Sequence, residues 1–107
     1  MPPAVVRHGG DVSTIVMVAQ THPADFEAFT AFEDRFVELF GDHGLVLRHR
    51  FRDEGASSEI HVIDVLRPDS LDSYFADPRR AALQEGFSRL RVEQRVHTVT
   101  DMARIDS

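Results

Sequence analysis

The chain has 107 residues, of which 42% are hydrophobic and 28% are charged, and it contains no cysteine. This length fits a single domain with one modest core, and the missing cysteine excludes disulfides, thiolate metal sites and cysteine nucleophiles. Twelve basic residues, all of them arginine, stand against 18 acidic residues for a formal net charge of −6, which argues against binding to nucleic acid.

The N-terminal segment, residues 1–11, contains two prolines and Gly9-Gly10, and it predicts a flexible arm ahead of a single domain over residues 12–107. The arm lacks the apolar core of a secretory signal, and no later run of about 18 apolar residues predicts a membrane span. We therefore expect a cytoplasmic protein that makes no contact with a membrane.

The first half of the domain begins with a strand over residues 12–20, which are rich in β-branched side chains. Thr21-His22-Pro23 then opens a helix that runs to about Phe40, because proline suits the first helical turn. Gly41 and Gly44 provide the stop.

The second half reads as a hairpin, a broken helix and a last strand. The hairpin joins strands over residues 45–52 and 59–66 through a loop over 53–58, and a short helix carrying Leu71 and Tyr74 is broken at Pro78 before a second helical piece. Alternation over residues 93–102 predicts the fourth strand. The order βαββαβ indicates an α+β, ferredoxin-like fold, with a four-stranded antiparallel sheet and both helices on one face.

The two faces of the predicted sheet raise the question of a partner. Aligned on its loop, the hairpin pairs Arg52 with Glu59, Arg50 with His61 and Arg48 with Ile63. Neither face is then cleanly polar, although a sheet covered on one side should expose a polar face. A second copy stacked face to face removes the apolar patch, so we expect a homodimer.

Glu33 is misplaced in its helix. At about 100° per residue it falls within the apolar arc, beside Phe29 and Phe36. Three other acidic side chains lie together on the opposite side, namely Glu27, Asp34 and Glu38. A carboxylate among phenylalanine rings is unfavourable unless it is paired or neutral. One interpretation is a residue at the edge of a broad apolar stripe; the other is a general base whose pKa is raised by burial.

The six histidines show no metal-ligand spacing, so we predict no metal site. His61 is the candidate for catalysis, since the predicted register puts it on one face with Arg48 and Arg50. Those two arginines are candidates for stabilising an anionic oxygen. The phenylalanine stripe is expected to be core first, and Phe29 and Phe36 are also candidates for lining a pocket.

Residues 71–83, LDSYFADPRRAAL, together with Glu33, the Gly41-x-His43-Gly44 turn and Glu59-Ile60-His61-Val62, resemble the dimeric α/β-barrel superfamily, including its small uncharacterised bacterial members and the antibiotic biosynthesis monooxygenases. The resemblance implies a homodimer whose sheets stack into a barrel, with a ligand pocket in each subunit between sheet and helices.

The cofactor-free, quinone-forming monooxygenases of this superfamily carry an asparagine and a tryptophan on strand three, at positions that match His61 and Val65. This chain contains no tryptophan, which counts against oxygenation of that kind and against tryptophan-dependent haem degradation.

The favoured function is an enzyme of specialised, polyketide or aromatic metabolism that needs no cofactor. His61 is the expected acid or base and Glu33 its partner, while Tyr74 is expected to orient the substrate. Isomerisation, cyclisation, dehydration and cofactor-free oxygenation stay open as reactions. The alternative is a non-catalytic dimeric domain that binds a small ligand.

Overall fold

A computed structural model describes residues 12–104, so the predicted arm at residues 1–11 lies outside the described residues. Seven principal elements follow one another along the chain: β1 (Ser13–Thr21), α1 (Phe26–Glu38), β2 (Leu45–Arg52), β3 (Ser58–Val65), α2 (Ser70–Phe75), α3 (Pro78–Phe87) and β4 (Val92–Val99). Short 3-10 turns precede and follow α1, so the predicted single helix is three consecutive pieces. The second helix is divided at Pro78, as predicted.

The four strands form one antiparallel sheet in the order β2-β3-β1-β4. This arrangement confirms the predicted α+β, ferredoxin-like fold. The fourth strand ends at Val99 and not at residue 102, because Val99 already pairs with Thr14 at the beginning of β1 and little of that strand is left to pair with.

The predicted register of the hairpin is correct near its loop and wrong beyond it. Arg52 pairs with Glu59 and Arg50 with His61, as expected. A bulge between Leu47 and His49 then inserts Arg48 as an extra residue, so Leu47, not Arg48, lies opposite Ile63. Because side chains alternate across a strand, one inserted residue exchanges the two faces.

The helices cover the face of the sheet that carries alternate residues of β1 and β3. One cluster joins Ile15, Ile63 and Tyr74, and a second joins Met17, Phe36 and Phe87, with leucine and phenylalanine side chains of the helices completing both. Phe29 belongs to the second cluster and is completely buried. Phe29 was predicted to line a pocket, but it packs in the core and does not line the cavity described below.

A chain of polar contacts holds the turn after α1 against the helix break. His43 Nδ1 lies 2.5 Å from the Ser73 hydroxyl, and Nε2 lies 2.7 Å from an Asp77 carboxylate oxygen. Asp77 also accepts hydrogen bonds from Arg79, which hold the pKa of its carboxyl well below the usual range. Gly44, with a φ of +69°, ends this turn. The network fixes where α2 ends and α3 begins.

The other face of the sheet is open and contains large apolar side chains. Phe51 is 53% exposed, and Val46 and Ile60 are each 37% exposed.

Within residues 12–104, no helix is long and apolar enough to cross a membrane. Over the same range, no group of three acidic, histidine or cysteine side chains is placed to hold a metal ion.

Candidate active site

A cavity of about 380 Å³ lies between the sheet and the helices. Its size falls within the range of pockets for small organic molecules. Most of its wall is apolar, and its polar side chains are few. The lining residues that the chemistry below uses are Glu33, His61, Tyr74, Arg80, Gln84 and Gln94.

Glu33 reaches this cavity from α1, and its side chain is buried, with the residue 5% exposed. The apolar arc of the helix faces the sheet, and Glu33 lies within that arc between Phe29 and Phe36, as its helical phase predicted. Burial raises the pKa of Glu33 to about 7, partly opposed by the attraction of His61. At neutral pH this carboxyl group can therefore both accept and release a proton.

His61 lies on β3 and points to the same side of the sheet as Glu33. Its Nδ1 is 3.6 Å from Glu33 Oε1, and the residue is 1% exposed. Its Nε2 is 2.8 Å from an oxygen of Glu59, another fully buried residue. The imidazole is thus placed between two carboxyl groups, which is a suitable arrangement for moving a proton.

Arg50 supports this group and does not line the cavity. Its guanidinium donates to Glu59 through Nε at 2.8 Å and Nη2 at 3.1 Å, and to Asp34 through Nη1 at 2.6 Å. Although burial alone would raise the pKa of Glu59, hydrogen bonds from His61 and Arg50 lower it to about 2. Arg50 therefore keeps Glu59 ionised. The sequence suggested that Arg50 contacts a substrate, but the structure does not place it in the cavity.

Arg48 lies on the opposite side of the sheet. Its Nε donates to a carboxylate oxygen of Asp64 at 2.5 Å, and Thr14 donates to the other oxygen of that carboxylate at 2.9 Å. Asp64 alternates with the core residues Ile63 and Val65, so its side chain faces away from the helices. The bulge in β2 is the reason that the predicted row of Arg48 and Arg50 is divided between the two faces.

Arg80 supplies the positive charge of the cavity. Its Cζ lies 4.8 Å from the centre of the Phe75 ring and 5.1 Å from that of Tyr74. Its Nε is buried and has no hydrogen-bond partner among the residues that the structure describes. An N–H donor left free in an apolar cavity is well suited to an anionic oxygen of a ligand.

Of the predicted site residues, the structure brings Glu33, His61, Tyr74 and Phe36 to the cavity, and it leaves Phe29, Arg48 and Arg50 outside. The sequence interpretation missed two residues. Glu59 is two positions before His61, so the alternation of a strand puts it on the same face. Arg80 shares a helical face with Gln84 and Phe87, and this spacing could have placed it on the inner side of its helix.

Comparison with family models finds no match, and a search of curated proteins finds no relative by sequence. Solved structures do match. A candidate antibiotic biosynthesis monooxygenase from Bacteroides thetaiotaomicron superposes with a TM-score of 0.76 at 12% identity, covering 88% of this chain and 93% of that one. SnoaB, a cofactor-independent oxygenase from Streptomyces nogalater, gives 0.63 at 20% identity, covering 87% and 97%.

A candidate antibiotic biosynthesis monooxygenase from Nitrosomonas europaea gives a TM-score of 0.69 at 7% identity, and the match covers 91% of this chain and 98% of that one. The structural neighbours are thus proteins of the antibiotic biosynthesis monooxygenase type, as the resemblance in sequence implied. At these identities the likeness establishes a shared ferredoxin-like fold over nearly the whole length of both chains.

Proposed function

We propose that this protein is an enzyme that removes a proton from a small, mostly apolar molecule bound between the sheet and the helices. The observation that carries the proposal is the meeting of Glu33 and His61 in an apolar cavity, with Nδ1 and Oε1 separated by 3.6 Å. A proton acceptor whose pKa is near neutrality, in a mostly apolar cavity, is an effective general base.

The substrate class follows from the walls of the cavity. Aromatic side chains favour a flat, apolar body, and Arg80 favours an oxygen that becomes negative when the proton leaves. An enolisable ketone or a hydroxylated aromatic compound meets both conditions. Tyr74, whose pKa is raised by burial, stays protonated at neutral pH and can donate a hydrogen bond to the same oxygen.

Several reactions can follow from the resulting anion. In an isomerisation or cyclisation, the proton returns at another atom of the substrate. In an oxygenation, dissolved dioxygen adds to the carbon of the anion. One oxygen atom remains as the new carbonyl, and the other leaves as water with the remaining hydrogen of that carbon and the proton that the base had removed. The solved oxygenase with this fold is described as cofactor-independent, which supports including this route for a substrate that is itself the reductant.

The proton-transfer step can be tested before the natural substrate is known. We expect the protein to accelerate exchange of the acidic C–H of 2-tetralone, an enolisable bicyclic ketone, in deuterated buffer, as followed by proton NMR. Arg80→Met should slow this exchange by about 10²-fold, since it removes the donor to the anionic oxygen. Arg35→Met is the control, because Arg35 is exposed on α1 and does not line the cavity, and it should leave the rate unchanged.

Exchange no faster than in buffer, with 2-tetralone bound, would contradict the enzymatic proposal. It would favour the alternative of a non-catalytic domain that binds a small ligand. Consumption of dioxygen, measured with an electrode, separates oxygenation from isomerisation and cyclisation. As part of the same proposal, the enzyme acts in specialised metabolism and is located in the cytoplasm, as expected from the sequence.

The proposal includes a homodimer formed through the open face of the sheet. That face presents Phe51, Ile60 and Val46, while its buried charge, Asp64, is already neutralised by Arg48. A second copy brings the same apolar, charge-balanced surface and so avoids like-charge repulsion.

We expect light scattering to give twice the monomer mass for the wild type and a shift toward monomer for Phe51→Glu. Phe75→Glu is the control, because Phe75 is equally exposed, at 55%, but lies on the helix side of the sheet. A monomeric wild type, or dissociation by the control substitution alone, would refute this interface.

A further inference from the structure

Glu59 has far more partners than one buried carboxylate needs. It accepts hydrogen bonds from Arg50 Nε and Nη2, from Arg52 Nη2 at 3.2 Å, from the Thr30 hydroxyl at 3.3 Å, and from His61 Nε2 at 2.8 Å. Two arginines keep it ionised, and an ionised carboxylate can only accept hydrogen bonds. The histidine nitrogen that faces Glu59 must therefore carry a hydrogen.

We propose that Glu59 is a positioning residue that fixes His61 with its proton on Nε2 and so directs the Nδ1 lone pair at Glu33. Glu33 and Nδ1 then exchange one proton between them, while Glu59 balances the charge of the imidazolium whenever the proton is on His61. The inference rests on the proposed function for its purpose, but the tautomer is a property of the free protein.

The geometry favours this division of roles. Glu59 Oε1 is at hydrogen-bond distance from Nε2, whereas Glu33 Oε1 is 3.6 Å from Nδ1. The first contact is fixed by the arginines. The second, at 3.6 Å, lies beyond the usual hydrogen-bond range, so His61 does not hold Glu33 in the same way. One side of the imidazole is thus held, and the other side remains available for proton exchange.

Several charged groups surround Glu33 and His61. Glu33 is influenced by His61, Glu59, Arg50 and Arg80, and it acts in turn on Tyr74. The negative charge of Glu59 raises the pKa of Glu33. Neutralising Glu59 should therefore move the titration of Glu33 to lower pH.

The test measures the imidazole directly. Long-range proton–nitrogen NMR at pH 9, with the His61 signals assigned by their loss in His61→Gln, should show a protonated Nε2 and an unprotonated Nδ1. In Glu59→Gln, this single tautomer should be lost, because an amide can donate as well as accept. The titration of Glu33, followed through its side-chain carboxyl carbon signal, should also move to lower pH, because the charge of Glu59 raises the pKa of Glu33.

Asp64→Asn is the matched control. Asp64 is also a buried carboxylate on β3 paired with an arginine of β2, but it faces away from the cavity, so the His61 tautomer and the titration of Glu33 should not change. An unprotonated Nε2 with the proton on Nδ1 at pH 9 in the wild type overturns the proposal, because Nε2 is the nitrogen that faces Glu59. An unchanged titration in Glu59→Gln, or an equal shift in the control, also overturns it.

The two proposals can fail separately. A fixed tautomer without exchange of 2-tetralone would leave Glu59 as a positioning residue and remove the enzymatic function. Exchange of 2-tetralone together with a mixture of both His61 tautomers would support the enzymatic function and refute the positioning role of Glu59.

Discussion

Replacing Glu33 with glutamine is expected to stabilise the protein at pH 8 and to leave its stability at pH 4 nearly unchanged. Burial raises the pKa of this carboxyl from 4.5 to about 7. At about 1.4 kcal/mol for each pKa unit, ionising the buried group lowers the free energy of unfolding by on the order of 3 kcal/mol. Glutamine has nearly the same shape and never ionises, so it avoids this loss.

The sign follows from which state ionises first. Below pH 4.5, Glu33 is protonated in both the folded and the unfolded chain and contributes no pH dependence. Between pH 4.5 and 7, the unfolded chain loses the proton more readily, so stability falls as the pH rises. Above pH 7 both states are ionised and the loss is constant. The difference between wild type and Glu33→Gln should grow over this interval and then level off.

Urea denaturation of both proteins at several values between pH 4 and pH 9 measures this difference. Glu38→Gln is the control, because it removes an exposed carboxylate from the same helix and should change stability by less than about 0.5 kcal/mol. A constant difference between wild type and Glu33→Gln at every pH would mean that this carboxyl is not held in its protonated form by burial.

A gain in stability in Glu33→Gln would mean that the native Glu33 lowers the free energy of unfolding. Such a residue is informative because packing alone would favour an apolar side chain there. Helical phase is a local property, so the sequence alone was sufficient to locate this conflict within the apolar arc. The order of strands and helices was predictable for a similar reason, since alternation, prolines and turn residues are also local signals.

The assignment of the arginines failed because it depended on pairing between strands. The bulge at Arg48 has no signature in the hydrophobic pattern, and it exchanges the faces of β2 beyond that point. Arg80 became the cationic group of the cavity only through the packing of α3 against α1 and α2. Glu59 was within reach of prediction, both from its spacing to His61 and from its predicted pairing with Arg52.

The largest expected effect on activity comes from removing the imidazole. His61→Gln should lower the rate of 2-tetralone exchange by about 10²- to 10⁴-fold, the usual contribution of a positioned acid–base group. Glu33→Gln should lower the rate within the same range, because the proton passes through both side chains. Binding of 2-tetralone, followed by ligand-observed NMR, should change little in either variant, since the apolar walls remain.

The double variant provides the sharper test, because groups that act as one unit are not additive. If Glu33 and His61 share one proton, the exchange rate of the double variant should be close to that of the slower single variant. Rate losses that multiply would mean two independent bases, and an unchanged rate in His61→Gln alone would leave Glu33 as the only one. The Glu38→Gln protein should keep the wild-type rate, because its carboxylate lies on the solvent side of α1.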